Sequence, residues 1–226
     1  MRLTLAIDVY DTLINTSGVY DELATLVGQQ ATTFMETWRN KQLEYSFRRG
    51  LMQQYQPFSV CTAQALDYCC AKYKVVLEEE QRETLLNQYT RLPAYKDVNK
   101  GLSLLKEVNY QLYAFSNGSE AAVKMLLERA QIEQYFTEVV SLEVIATFKP
   151  NPAGYQYFND KTHTQKENTW LISSNAFDVI GAQAYGMQSA WIQRSKEALL
   201  DPWEITPTLI VRDLEVLAHK LKEVNP

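Results

Sequence analysis

Six short apolar runs, spaced by segments with helical periodicity, constrain this chain more than any other feature. Leu3–Ile7, Gln111–Phe115, Val139–Ser141, Thr169–Ile172, Ser189–Ile192 and Leu209–Val211 read as strands, while Ala121–Ala130 and Val179–Tyr185 are typical of the intervening helices. Alternation of this kind predicts a parallel sheet with helices on both faces. One interval breaks the rhythm. Residues 16 to 90 are helical in periodicity almost throughout, with Leu23, Leu26 and Val27 on one stretch. Phe34, Trp38, Leu43 and Phe47 mark a second, Ala65, Leu66, Cys69 and Tyr73 a third, and Leu85 and Leu86 a fourth. Pro57 interrupts this block and Pro93 follows it. The expected architecture is therefore α/β: a Rossmann-like parallel-sheet core of residues 1–15 and 91–226, with an inserted α-helical cap of residues 16–90.

Composition narrows the function classes. Apolar residues make up 46% and charged residues 22%, as expected of a soluble globular chain long enough for a substantial core. A net charge of −5 without a Lys/Arg-rich patch argues against nucleic acid or an anionic membrane surface as partner. No apolar stretch approaches the length of a membrane span, and the first residues lack a charged-then-apolar leader pattern. Cys61, Cys69 and Cys70 follow no metal or redox spacing and read as free thiols in a reducing cytoplasm. Both histidines, His163 and His219, fall in solvated segments, which disfavours a histidine-dependent mechanism.

The polar residues that matter come at expected strand ends. Asp8 closes the first apolar run and so presents a carboxylate at the carboxyl edge of the sheet, where open α/β folds place their chemistry. Ser116-Asn117-Gly118 follows Phe115, Lys149-Pro150 follows Phe148, and Ser173-Ser174-Asn175-Ala176-Phe177-Asp178 follows Ile172. Each has a bland explanation. Ser and Asn cap helices, a lysine before proline is often a solvated loop residue, and Asp178 suits the N-terminus of a helix. It is their order along the chain that points to a common site.

The opening D-x-x-x-T-L pattern, Asp8 to Leu13, resembles the first signature of the haloacid dehalogenase superfamily, in which that Asp is a covalent nucleophile. Phosphatases of the superfamily carry a second Asp two positions on, as the acid that protonates an alkoxide; here that residue is Tyr10. A halide leaving group needs no proton. The likeness then sharpens to the L-2-haloacid dehalogenase branch: Trp38-Arg39-Asn40-Lys41-Gln42-Leu43-Glu44-Tyr45-Ser46 is close to that branch's W-R-x-K-Q-L-E-Y-S stretch. Tyr155 six residues beyond Lys149, and the S-S-N-x-x-D cluster ending at Asp178, extend it over nearly the whole chain.

The resemblance implies roles. Asp8 attacks the halogen-bearing carbon with inversion, and water then hydrolyses the ester to a D-2-hydroxy acid. Lys149 offsets the burial of Asp8, while Thr12 and Ser173 orient the group. Arg39 and Asn117 cradle the halide, Ser116 holds the substrate carboxylate, and Tyr10, Leu43 and Phe58 line its apolar side. Asp178 orients or activates water, supported by Asn175 and Tyr155. The branch works without metal or cofactor and is commonly homodimeric. Arg39 has a rival explanation, an internal salt bridge with a cap carboxylate such as Glu44. Asp11 stands where the branch usually has Gly, which implies a left-handed turn that Asp tolerates, or a displaced acid that would restore magnesium-dependent phosphatase chemistry. Whether fluoroacetate or strained heterocyclic acids are substrates is left open by these residues, and a non-enzymatic binding role is the remaining alternative.

Overall fold

A computed structural model describes residues 3–224. Among them, six parallel strands form one sheet in the order β3-β2-β1-β4-β5-β6. They are β1 (Thr4–Ile7), β2 (Gln111–Ser116), β3 (Glu138–Ser141), β4 (Thr169–Ser173), β5 (Gln188–Ile192) and β6 (Leu209–Val211). Every strand anticipated from the apolar runs is present, with ends shifted by at most one residue. The first strand lies in the middle, paired with β2 on one side and β4 on the other. The chain builds outward to β3, returns past β1, and continues from β4 to β6. That reversal opens a crevice at the carboxyl ends of β1 and β4.

Alternation along the strands divides the core between two faces. Leu5 and Ile7 of β1 pack with Leu112, Ala114 and Ile172 in one cluster, while Ala6 packs with Tyr113, Phe115 and Leu171 in another. Helices α5 (Val98–Glu107), α6 (Glu120–Arg129) and α9 (Leu214–Val224) cover the first face. On the second face, α7 (Pro152–Thr162) and α8 (Ala176–Tyr185) contribute Tyr155, Phe158, Val179 and Ala182. Close approach matters at Gly101, where a Cβ would sit 2.4 Å from the Leu214 side chain and so force α5 away from α9.

Between β1 and α5 stand four further α-helices: α1 (Tyr20–Val27), α2 (Ala31–Leu51), α3 (Phe58–Tyr73) and α4 (Glu79–Gln88). None of this stretch joins the sheet. Trp38 of α2 is fully buried; its indole N–H donates to the Thr62 carbonyl at 2.9 Å, and its ring meets Tyr89 edge-on. Pro57 sits immediately before α3, where its missing N–H costs the helix nothing. The two segments leading into and out of the helical block lie side by side. Asn15 N–H donates to Pro93 O at 2.8 Å, Tyr95 N–H to Leu13 O at 3.0 Å, and Ile14 forms an antiparallel bridge with Ala94.

Candidate active site

Asp8 follows the last residue of β1, and its N–H donates to Ile172 O at 2.9 Å, keeping it in register with β4. The turn beyond folds back at once, with Leu13 and Ile14 N–H both donating to Val9 O. Asp11 takes φ 64° in this turn, so the left-handed geometry expected where Gly is usual is present. The fold-back puts the Thr12 hydroxyl 2.8 Å from Asp8 Oδ2.

The two Asp8 oxygens are treated differently. Oδ2 accepts from Thr12 Oγ1, from Asn175 Nδ2 at 2.9 Å and from Ser173 Oγ at 3.2 Å. Among the described residues, Oδ1 accepts from Lys149 Nζ alone, at 2.9 Å. Lys149, 1% exposed, also donates to Phe115 O at 3.1 Å and to Asp178 Oδ2 at 2.6 Å. One ammonium thus stands between two carboxylates. Burial alone would pull the Lys149 pKa down, but the charges of Asp178 and Asp8 leave it raised. Burial pushes the Asp178 carboxyl up to about 6; Lys149 opposes the rise and Asp8 adds to it. Burial also drives the Tyr155 phenol well above its usual value, assisted by the Asp178 charge.

Local helix starts are diverted to this network. Ser116 and Asn117, which suit a cap, leave that duty to Ser119, whose hydroxyl accepts from Ala122 N–H at 3.3 Å. The Asn117 amide instead clasps the Lys149 backbone, accepting from its N–H at 2.7 Å and donating to its carbonyl at 3.4 Å. Asn175 precedes α8 yet makes no side-chain cap bond; its Nδ2 goes to Asp8 and to Tyr10 O. A forgone cap costs about 0.5–2 kcal/mol, so the diversion points to a local demand stronger than helix stability.

A cavity of about 20 Å³ lies against Asp8, with room for about one water. Its sheet-side wall comes from Asp8, Ser116, Asn117, Gly118, Lys149 and Asn175, its other wall from Arg39 and Leu43 of α2 and Phe58 of α3, and Tyr10 and Phe177 complete it. Thr12, Tyr155, Ser173 and Asp178 do not line it; they are fully buried behind that wall. Asp178 has both oxygens engaged, one by Lys149 and the other by Tyr155 Oη at 3.0 Å, so direct activation of water by Asp178 does not fit. Nor does Lys149 stand at a strand end. It arrives eight residues after β3, through a 3₁₀ turn at Leu142–Ile145, with a cis bond to Pro150.

Arg39 pairs with neither Glu44 nor any other carboxylate of its own helix. Its Nη2 lies 2.7 Å from Asp11 Oδ2 and donates to Asn175 Oδ1 at 3.4 Å. Glu44 is occupied by Lys41 and Arg48. Asp11 therefore faces Arg39 and Thr16, away from the cavity, and is no displaced acid. The sequence reading missed Phe177 and Gly118. The signal for Phe177 was a large apolar side chain inside a polar cluster. For Gly118 it was space: a Cβ there would lie 3.0 Å from the Tyr10 ring.

Comparison with known proteins agrees with this geometry. The haloacid dehalogenase-like hydrolase family matches residues 8–192. The (S)-2-haloacid dehalogenase 2 of Pseudomonas sp. (strain CBS-3) is 31% identical over 214 residues, 95% of this chain and 93% of its own length. A haloacetate dehalogenase of Moraxella sp. (strain B) is also 31% identical, over 95% of this chain and 96% of its own. The structure of L-2-haloacid dehalogenase from Xanthobacter autotrophicus with chloropropionic acid covalently bound superposes with a TM-score of 0.90 at 25% identity, covering 98% of this chain and 99% of that one. With the nucleophile turn, the lysine between two carboxylates and these full-length likenesses together, the chain belongs to the haloacid dehalogenase-like hydrolases, in the branch of the L-2-haloacid dehalogenases.

Proposed function

We propose that the chain hydrolyses short L-2-haloalkanoic acids to D-2-hydroxy acids through an ester on Asp8. The observation that carries this reading is the unequal bonding of the Asp8 carboxylate, with Tyr10 two residues on where an acid would be needed for phosphate esters. Oδ2 is saturated by three donors, whereas Oδ1, held only by Lys149, keeps a lone pair for attack. Oδ1 displaces halide from C2 with inversion, forming the Oδ1–C2 bond as the carbon–halogen bond breaks. Arg39 and the second N–H of Asn117 receive the halide, Ser116 the substrate carboxylate, and Leu43, Phe58 and Tyr10 its alkyl side. Water then attacks Cγ of Asp8. The Oδ2 charge that develops is met by Thr12, Ser173 and Asn175, donors already aimed at it. When the Cγ–Oδ1 bond breaks, one water proton ends on the product hydroxyl and the other leaves to solvent. Asp178 and Tyr155 act through Lys149, fixing where its ammonium lies.

Magnesium-dependent phosphatase chemistry fits the donor set poorly. Between the Asp8 and Asp178 carboxylates, where a divalent ion would need both, stands the Lys149 ammonium. Metal-free, cofactor-free turnover is therefore part of the proposal, as is a cap formed by residues 16–90. A cytoplasmic homodimer completes it, with exposed Leu51, Met52 and Trp203 as apolar surface for a second copy. Halide release from L- and D-2-chloropropionate, with and without EDTA, tests the reading. Release from the L enantiomer alone, insensitive to EDTA, is expected. Magnesium-dependent phosphate release from simple phosphoesters, with no halide from either enantiomer, would sink it. Fluoroacetate is the demanding further substrate for the same assay.

A further inference from the structure

Arg39 serves two spaces at once. It lines the cavity against Asp8 and also a cleft of about 510 Å³ on its far side. Asp11 lines only the cleft. From there its Oδ2 reaches Arg39 Nη2 at 2.7 Å, and its Oδ1 accepts from the Thr16 hydroxyl. Asp11 also holds φ 64°, a conformation that glycine would adopt without strain. A residue that bears this backbone cost with both carboxylate oxygens engaged is tied to a specific partner.

We propose that Asp11 is a positioning residue that acts through Arg39, offsetting part of its charge so that the departing halide is held weakly and released. The inference rests on the dehalogenase reading above. A halide beside Arg39 feels both the guanidinium and the carboxylate behind it. Removing one unit charge a few ångströms beyond the ion, at an effective dielectric near 20, would alter affinity by far more than tenfold. The two side chains are 20% and 24% exposed, so solvent screening reduces this to about tenfold.

The test is product inhibition by bromide and chloride during turnover of L-2-chloropropionate, for the wild type, Asp11→Asn and Asp11→Gly. Asparagine keeps an oxygen for Arg39 and Thr16 and tolerates the left-handed backbone; glycine removes the side chain without strain. Both are expected to lower the halide inhibition constants about tenfold, while KM for the substrate moves less and the melting temperature stays near wild type. A merely structural Asp11 would change the melting temperature and leave halide affinity alone. Inhibition constants unchanged or raised in either folded variant overturn the inference while the dehalogenase reading stands. A wild type that releases no halide from either enantiomer overturns both.

Discussion

Asp8 and Arg39 face the same cavity from opposite walls and are secured by different means. On the sheet side, every group is locked. Asp8 receives four donors, Lys149 and Asp178 are almost wholly buried, and apart from the local Thr12–Asp8 contact each bond joins residues far apart in sequence. On the helical side, Arg39 is one-fifth exposed, and Leu43 and Phe58 are only half-buried. Precision of the nucleophile comes from the rigid wall, while selectivity for the leaving group and alkyl chain falls to the looser one.

Four changes would break or sharpen this contrast. The strongest is Asp8→Asn, expected to lower halide release by on the order of 10⁴-fold or more while the protein stays folded. Next comes Lys149→Met, which leaves two buried carboxylates facing each other. It should cost about 3–5 kcal/mol of stability, and adding Asp178→Asn should restore part of that loss in a denaturation series. Gly181→Ala strikes the same wall from behind. Its Cβ would stand 2.5 Å from Tyr155 Oη and 2.6 Å from Pro150 Cβ, so a loss of about 1–3 kcal/mol and a lower kcat are expected. The smallest effect belongs to the other wall: Leu43→Ala should raise KM several-fold and move stability by no more than about 1 kcal/mol. If Leu43→Ala lowered kcat as severely as Gly181→Ala, the distinction between the walls would fail.

Acidity separates two consequences of the same cluster. Because burial raises the folded Asp178 pKa to about 6, its contribution to stability is fully present below the ordinary carboxylate range and is lost as pH rises through about 6. Activity should run the opposite way. Once Asp178 is protonated, Lys149 has only Asp8 as its charged partner and binds the nucleophile more tightly. A pH–rate profile should therefore fall about tenfold per unit on its acid side, with a midpoint near 6. Asp178→Asn should remove or displace that limb.

Strands were legible because period and length agree: β1 to β6 appear where the apolar runs lie, and Leu209–Val211 matches residue for residue. Most site residues were legible as polar clusters after those runs. What sequence could not supply was direction. Asp178 reads as an accessible acid, yet the first turn of α8 points it inward to Lys149 and Tyr155. Glu44, on the same helix, reads as the rival partner of Arg39 to a bound halide, but it is Asp11 that reaches Arg39, across the junction of turn and helix. Loop-borne Lys149 reads as a strand-end residue because the spacing carries no trace of the 3₁₀ turn that delivers it.

A cavity of about 20 Å³ is smaller than a haloacid, so seating one calls for more space between the two walls over Asp8. The paired segments at Asn15–Pro93 and Leu13–Tyr95 determine how. They form one narrow strap between the helical block and the sheet. A rotation about that line would widen the mouth over Asp8 without unpairing a strand. Opening of that kind would be uncoupled from unfolding, because the frame that holds the nucleophile would keep every strand pairing.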